Sequence, residues 1–229
     1  MALIPLDLPA GVYRNGTDLQ SQGRWRDSNL VRWFDDTLRP IGGWRTRSDT
    51  ASDGQVRGLH SWIDNSSDRW IAAGSYNKLY IYNGAGIRYD ITPAGLTAGN
   101  EDALTPVGYG NSFYGNEYYG IARQEVTTIV PATTWAMDSW GEYLVVCSSS
   151  DGKVYEWQLN TGTIAAVVAN APVNNRSILV TEERFLMCLG AGGNPRLVQW
   201  SDREDNTLWT PAATNEAGSL ELQTTGRIQ

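Results

Sequence analysis

Three stretches of the chain share one pattern: an apolar run opened by an aromatic residue, a polar turn, and a second run closed by an aromatic residue. They cover residues 70–82, 143–157 and 185–200. The second and third begin 42 residues apart, at Tyr143 and Phe185. A repeat of about 40–45 residues that holds several short strands is typical of a β-propeller blade. The repeats therefore predict an all-β, propeller-like fold.

Each repeat is expected to form one four-stranded blade, because further strand patterns flank it. The predicted strands are 56–63, 70–74, 78–82 and 86–91 in the first blade; 134–139, 143–148, 153–159 and 163–168 in the second; and 177–181, 185–189, 196–200 and 208–211 in the third. A propeller needs about four blades or more to close. We therefore expect an incomplete propeller, completed by sequence beyond Gln229 or by neighbouring subunits, since open strand edges need cover.

The remaining sequence divides into an arm and an insertion. Residues 1–55 are interpreted as an extended N-terminal arm with a hairpin at 29–47, and residues 56–229 as the blades. Between the first two blades, about residues 97–129 form an insertion rich in Tyr and Gly. Long loops of this kind are usually functional or disordered, and Tyr with Gly suits an adaptable binding surface. An interface loop and a surface excursion without a partner both remain open.

The composition favours contact surfaces but disfavours several partners. The chain has ten Trp, eleven Tyr and sixteen Arg, and these residue types are enriched at protein interfaces. Its net charge is −7, which disfavours tight binding to nucleic acid. No secretory signal and no run long enough to span a membrane are visible. Cys147 and Cys188 are therefore expected to be buried free thiols rather than a disulfide.

The sequence offers no convincing catalytic, metal or cofactor site. Its one histidine, His60, lies in a predicted strand, which disfavours metal sites with two histidines and histidine-based triads. Acidic pairs occur at 35–36, 101–102, 182–183 and 202–205, but all fall in turns, where carboxylates commonly cap backbone groups. We expect no cofactor and no enzymatic activity.

A cluster of Arg and Trp in the arm is the first candidate functional site. It consists of Arg24, Trp25, Arg26, Arg32 and Trp33. Such residues bind single-stranded nucleic acid in some proteins, and they are also common hot spots of protein interfaces. Neighbouring aspartates cancel the positive charge, so the protein interface is favoured. The insertion adds four candidate interface tyrosines, Tyr109, Tyr114, Tyr118 and Tyr119.

Several segments carry a resemblance to a known family. They read LPAGVYRNGT at 8–17, GRWRDSNLVRW at 23–33, LRPIGGW at 38–44, VQWSD at 198–202, LWTP at 208–211 and NEAGSL at 215–220. With the Tyr/Gly insertion, they resemble bacteriophage tail hub or nozzle proteins, and the chain is similar to the packaged-DNA stabilisation proteins of short-tailed phages. These motifs are structural and carry no catalytic signature.

The resemblance implies a virion structural protein of the phage tail, assembled in the host cytoplasm. Its expected partners are further copies of itself in a ring of six, the portal and adaptor proteins, and tail spikes or fibres. The ring would continue the DNA channel below the portal, help to retain packaged DNA, and let double-stranded DNA pass without sequence-specific contact. Members of this family are much longer than 229 residues. The alternative is a carbohydrate-binding or carbohydrate-hydrolysing propeller that acts on the host surface.

Overall fold

The computed structural model describes residues 9, 11–35, 37–43, 45–48, 50–104, 129–226 and 228. The chain divides into two compact units, Met1–Thr46 and Arg47–Gln229. Residues 47–55, grouped above with the arm, therefore belong to the larger unit. Among the described residues, no helix is long and apolar enough to cross a membrane.

The smaller unit is organised by one hairpin and one bridge. Strand β1 (Val31–Phe34) pairs antiparallel with β2 (Thr37–Pro40) and forms a two-stranded sheet. Asp35 has a φ of 48° in the connecting turn, a conformation that Asp adopts more readily than most residues. Pro40 ends β2, where its missing N–H costs no ladder hydrogen bond. A hairpin is thus present within the range 29–47, but its strands cover only Val31–Phe34 and Thr37–Pro40.

The larger unit contains three four-stranded antiparallel sheets, each formed by consecutive strands. The first blade is β3 (Gly58–Ile63), β4 (Arg69–Gly74), β5 (Leu79–Tyr82) and β6 (Arg88–Asp90). The second is β7 (Trp135–Trp140), β8 (Tyr143–Ser148), β9 (Val154–Trp157) and β10 (Ala166–Val167). The third is β11 (Ser177–Val180), β12 (Leu186–Leu189), β13 (Leu197–Trp200) and β14 (Gly218–Glu221). Strand order follows chain order in every sheet. The predicted all-β fold, with blades arranged as an incomplete propeller, is confirmed.

The blades pack face to face in chain order. We call the face that a blade turns toward the next blade its forward face and the opposite one its backward face. Trp62 and Ile81 lie on the forward face of blade 1 and pack against Tyr155 and Trp157 on the backward face of blade 2. A second core joins the forward face of blade 2 to the backward face of blade 3. Its members include Trp140, Val145, Cys147, Ile178, Leu186 and Cys188.

Blade 2 is covered on both faces, and its sequence reflects this position. Five of the six residues of β8 are buried, from Leu144 to Ser148. A strand buried on both faces reads as a continuous apolar run rather than as an alternation. The strand β3 of blade 1 alternates instead, with Leu59 and Ile63 exposed and Trp62 buried. The apolar run at 143–147 thus predicted a fully covered strand correctly.

The fourth strand of blade 3 was predicted wrongly at residues 208–211, and the actual strand is β14. β14 pairs with β13, with Val198 opposite Leu220. Trp209 is instead buried between blades 2 and 3, and its indole N–H donates to the carbonyl of Asn206 at 2.7 Å. The apolar residues at 208–209 therefore fill the inter-blade core from a loop. Two adjacent apolar residues in the sequence do not show whether they belong to a strand or to a loop that packs into the core.

The two cysteines are free and buried, as expected. Cys147 lies on β8 and Cys188 on β12, and both belong to the core between blades 2 and 3. Burial raises the pKa of Cys147 to about 12 and also raises the pKa of Cys188. A buried thiol that stays protonated packs as a small apolar group and reacts slowly. Both residues therefore have a packing role.

Candidate functional site

The arm cluster is built around two tryptophans. The rings of Trp25 and Trp33 meet edge to face, with centroids 5.9 Å apart and planes at 60°. Trp33 is held by the β1–β2 hairpin, and Trp25 by a parallel bridge to Val12. Tyr13 adds a backbone hydrogen bond, from its N–H to the Trp25 carbonyl at 2.8 Å. The structure therefore brings together the two tryptophans that the sequence analysis selected.

Both indole nitrogens lack a hydrogen-bond partner. Trp25 Nε1 and Trp33 Nε1 are shielded from solvent and contact no acceptor among the described residues. A buried N–H without an acceptor costs roughly 1–3 kcal/mol, and such groups are rare enough to need an explanation. The two indole N–H groups are therefore buried at a cost that no described residue offsets.

The three arginines of the cluster differ in their environments. The Arg24 guanidinium lies over the Tyr13 ring, 5.3 Å from its centroid. Arg26 forms an ion pair with Asp18. Arg32 is exposed on β1. Because Asp18 neutralises Arg26, the cluster presents less positive charge than its sequence indicates. This pairing favours protein contacts over nucleic-acid binding, which relies on free cations.

The arm exposes its apolar side chains. Leu19 is 85% exposed, Leu30 67%, Phe34 51% and Ile41 47%, while none of the described residues of this unit contributes a buried apolar side chain. An apolar core is the main source of stability for a small unit. Exposed apolar groups on a unit whose described residues form no core are typical of a segment that is stabilised by docking onto a partner. The aliphatic residues Leu19, Leu30 and Ile41 were missed from the sequence, because only Arg and the aromatic residues were considered.

The four tyrosines of the insertion cannot be placed beside this cluster. Tyr109, Tyr114, Tyr118 and Tyr119 all lie outside the described residues. The described flanks of the insertion meet at an antiparallel bridge between Leu104 and Val130, with hydrogen bonds of 2.8 and 2.9 Å. The interface role of these tyrosines stays a prediction.

Two sheet faces remain without a neighbouring blade among the described residues. The forward face of blade 3 presents Leu179, Met187, Val198, Trp200 and Leu220, of which Leu220 is 58% exposed. A shallow apolar hollow on this face is lined by Thr181, Glu183, Phe185, Met187, Trp200 and Glu216. The forward faces of blades 1 and 2 each pack against the following blade. The forward face of blade 3 is the equivalent surface, and no described blade covers it.

The backward face of blade 1 is the second open face. Residues 51–53 cover part of it: Asp53 donates its N–H to Tyr80 Oη at 3.3 Å, and Arg88 donates to the Ala51 carbonyl. Leu59 and Ile63 stay exposed on the same face. A hollow at the β3–β4 turn end of blade 1 includes residues of both faces, and it is lined by Arg47, Ser61, Trp62, Ile63, Arg69, Trp70, Ile71, Asn83 and Gly84.

Polar residues of the inner strands join the blades through hydrogen bonds. His60 on β3 and Ser139 on β7 share a hydrogen bond of 2.8 Å between Nε2 and Oγ. The neighbouring Asp138 accepts from the Val180 N–H of β11 through Oδ2 at 2.8 Å. Burial lowers the pKa of His60, partly offset by Asp138. The carboxylate hydrogen-bonds toward blade 3 and not to the imidazole, so these residues do not have the hydrogen-bonding pattern of a triad.

The acidic turn at 202–205 has the capping geometry expected of it. Asp205 accepts from both the N–H and the hydroxyl of Thr207, and these hydrogen bonds lower the pKa of its carboxyl group. A glycosidase general acid needs a raised pKa instead. Glu182 and Glu183 lie in the exposed β11–β12 turn. Within the described part of the chain, no group of three or more His, Cys, Asp and Glu residues is placed to hold a metal ion.

A polar cavity of about 350 Å³ lies between loops of blades 2 and 3. Ser150, Asp151, Asn174 and Arg176 line it together with Asn175. Asn175 is buried, and its amide donates to the carbonyls of Gly152 and Pro172. Its own carbonyl oxygen has no partner among the described residues. The cavity therefore brings the Arg176 side chain close to hydroxyl, carboxyl and amide groups.

Comparison of the chain with protein-family models, with curated proteins and with solved structures found no match. The geometry of the arm, the open faces and the polar cavity is therefore the basis for assigning a function.

Proposed function

We propose that this protein is a non-enzymatic structural subunit of a bacteriophage tail, located in the hub or nozzle. Copies of the chain form a ring, six in number, that continues the DNA channel below the portal and adaptor. The ring helps to retain and deliver the packaged DNA, and it carries tail spikes or fibres. Double-stranded DNA passes through without sequence-specific contact.

One observation carries this proposal: the arm exposes large apolar side chains and has no buried apolar residue among those described. Leu30, Phe34 and Ile41 are each about half exposed or more, and the indole N–H groups of Trp25 and Trp33 lack acceptors. Subunits of large assemblies commonly carry segments that fold against a neighbour. The family-like motifs of the arm support the same role.

The charge of the larger unit suits a passage for DNA. Residues 58–229 carry ten basic and eighteen acidic side chains. A surface with excess negative charge binds phosphate weakly, because it offers few cations to replace the condensed counterions of DNA. A channel lined by such a surface would let DNA slide. The charge balance therefore supports transit rather than retention by tight contact.

The test is incorporation into phage particles. Phe34→Ala combined with Ile41→Ala removes two exposed apolar side chains of the arm. If they are docking contacts, each truncation costs about 1–2 kcal/mol of binding. We expect the amount of protein in purified particles, measured by quantitative mass spectrometry, to fall at least tenfold. Electron microscopy of wild-type particles should show the subunit in a tail ring.

The matched control is Ile87→Ala combined with Ile164→Ala. Both isoleucines are about half exposed, at 47% and 50%, but lie on the blades. This variant should enter particles at the wild-type level. Absence of the wild-type chain from purified particles would exclude the proposed role.

The alternative function, binding of carbohydrate on the host surface, is favoured by the polar cavity. The Arg176 guanidinium, the Asp151 carboxylate and the Ser150 hydroxyl line it, and such groups donate to and accept from sugar hydroxyls. Glycan-array binding that is lost in Arg176→Ala and kept in the arm variant would establish this function. No array signal for the wild-type protein would exclude it.

A further inference from the structure

We propose that two copies of this chain close into one six-bladed propeller, with the forward face of blade 3 in each copy packed against the backward face of blade 1 in the other. The contact is made twice around a twofold axis. This inference does not rest on the proposed function, because a propeller of this kind serves a tail subunit and a carbohydrate-binding protein equally well.

The two existing blade interfaces follow one rule, and the open faces fit it. Forward face meets backward face between blades 1 and 2 and again between blades 2 and 3. The inner strands β3, β7 and β11 lie side by side in chain order. One forward face and one backward face are left open, at opposite ends of the series. A second copy supplies the missing counterpart for both.

The turns between the first and second strands meet at each existing interface. At the first, Trp62 beside the β3–β4 turn donates its indole N–H to the Glu142 carbonyl in the β7–β8 turn, at 3.0 Å. At the second, the guanidinium of Arg184 in the β11–β12 turn lies 5.3 Å from the centroid of the Trp140 ring. The same rule places the β11–β12 turn of one copy beside the β3–β4 turn of the other.

The residues at these two turns are complementary in charge. The charged residues of the hollow on blade 3 are Glu183 and Glu216, and those of the hollow on blade 1 are Arg47 and Arg69. No ion pair joins Glu183, Glu216 or Arg69 to another residue in the described ranges. These charges are thus available for an intermolecular contact.

Apolar side chains on the two faces add a second complementarity. Ile63, 58% exposed at the turn end of β3, projects from the backward face of blade 1. The hollow formed by Phe185, Met187 and Trp200 lies at the turn end of the forward face of blade 3. When the turns meet, the isoleucine lies opposite this hollow. Its contact would bury apolar surface that is exposed in each separate chain.

The number of blades favours two copies over any other number. Propellers close with about four to eight blades. The described residues supply three, so two copies make six, whereas three copies make nine. A contact between unlike faces forms a closed ring when the rotation matches and an open filament when it does not. Six blades lie within the range in which the rotation closes.

The first test is the mass of the purified 229-residue chain in isolation. Sedimentation equilibrium should give a particle of twice the chain mass of 25.2 kDa. The proposal is wrong if the chain is a monomer at every concentration at which it stays in solution. This holds whether the arm or nothing covers the open faces of that monomer. Open-ended growth overturns the closed ring.

Charge reversal tests which faces meet. Glu183→Arg and Arg69→Glu each place like charges across the contact, which raises the dissociation constant about tenfold per contact. Because the closed dimer contains the contact twice, each variant should weaken dimerisation about a hundredfold. The double variant restores opposite charges and should dimerise almost as the wild type does. A double variant as weak as the singles would show that these two faces do not meet.

The matched control is Glu182→Arg, which makes the same charge change one residue away in the same exposed turn. Glu182 does not line the hollow, so this variant should dimerise like the wild type. The three substituted positions are exposed surface sites, and circular dichroism should show that each variant keeps the β-sheet content of the parent.

Discussion

The contact between blades 1 and 2 requires a glycine on β4, and Gly74→Ala tests this requirement. The indole of Trp135 lies directly over Gly74. A methyl group built at this position would sit 2.5 Å from Trp135 Cγ and 2.6 Å from Nε1. Carbon atoms at van der Waals contact are about 3.5–4.0 Å apart. The methyl group therefore overlaps the ring by about 1 Å.

The ring cannot move away at low cost. Trp135 is buried, and its indole N–H donates to the Ser75 carbonyl at 2.6 Å. Gly58 packs on the same residue, because a methyl group there would lie 2.6 Å from Trp135 Cβ. Overpacking of a well-packed core costs about 1–3 kcal/mol, and an overlap of this size belongs at the upper end. Alanine recovers about 0.5–1 kcal/mol of backbone entropy. The expected net loss is about 2 kcal/mol.

Chemical denaturation measures this loss. In a domain of this size, about 2 kcal/mol corresponds to a fall in Tm of about 4–8 °C, with a lower urea midpoint and an unchanged m-value. The control is Gly84→Ala. A methyl group at Gly84 would find its nearest neighbour, the Arg69 carbonyl oxygen, at 3.8 Å. The free energy of unfolding of this variant should stay within about 0.5 kcal/mol of the wild type.

A double-mutant cycle connects the loss to Trp135. Trp135→Ala alone should cost about 3–5 kcal/mol, but it removes the ring that Gly74→Ala overlaps. In that background Gly74→Ala should cost nothing. If Gly74→Ala is no more harmful than Gly84→Ala, or if its cost is the same with and without the indole, the described packing of blade 1 on blade 2 is wrong.

Three further predictions concern buried polar groups and thiols. Asp138→Ala leaves the Val180 N–H without its acceptor and should lower the free energy of unfolding by about 1–3 kcal/mol in urea titrations, whereas an unchanged midpoint would show that the bond between blades 2 and 3 contributes nothing. Because the folded state lowers the pKa of His60, its imidazole binds a proton more readily in the unfolded chain. The free energy of unfolding should therefore decrease as the pH falls through about 6.5. His60→Gln should make the free energy of unfolding depend less on pH in this range. Cys147 and Cys188 should resist a thiol reagent in the native protein at neutral pH and react in denaturant, because burial keeps both thiols protonated; rapid labelling of the folded chain would contradict their burial.

The blades could be predicted because the patterns that indicate their strands and turns lie within short stretches of sequence. The β8 strand runs over Tyr143–Ser148, as the continuous apolar run predicted. Its edges are set by Gly141 and Asp151, which belong to turns that the sequence marks clearly. The missed strand β14 follows a loop that contributes Trp209 to the core. Such a contribution depends on the neighbouring blade and has no period of its own, so no local pattern reveals it.

The candidate site was predictable only in part. Trp25 and Trp33 were selected by residue type, and the structure brings them together. The exposure of Leu30 and Phe34 was not predictable, because an apolar side chain in a strand pattern usually indicates a core. The arm departs from this expectation because its described residues form two strands and no second layer that covers them. Exposure is thus a property of the tertiary structure that composition does not record.

The position of Trp200 shows that sequence spacing carries more information than the repeat alone. The opening and closing aromatics are 12 residues apart in the first repeat, 14 in the second and 15 in the third. In the first two repeats, the strand pairing places the closing aromatic residue on the face opposite to that of the opening aromatic residue. In the second repeat, the closing Trp157 lies on the backward face and packs against blade 1. One additional residue reverses the side on which a strand residue points.

Trp200 therefore lies on the forward face of blade 3, beside Phe185, and Gly218 on β14 leaves room for its ring. Ser201 takes the place equivalent to Trp157 on the backward face, where its hydroxyl accepts from the Leu186 N–H at 3.1 Å. The single inserted residue has thus moved a large aromatic from an interface within the chain to a face that no described blade covers. If blade 3 were simply the last blade of the series, we would expect polar residues on its forward face. The aromatic pair instead makes this face resemble the forward faces of blades 1 and 2, which are both covered, and this resemblance is the physical reason to expect a neighbour.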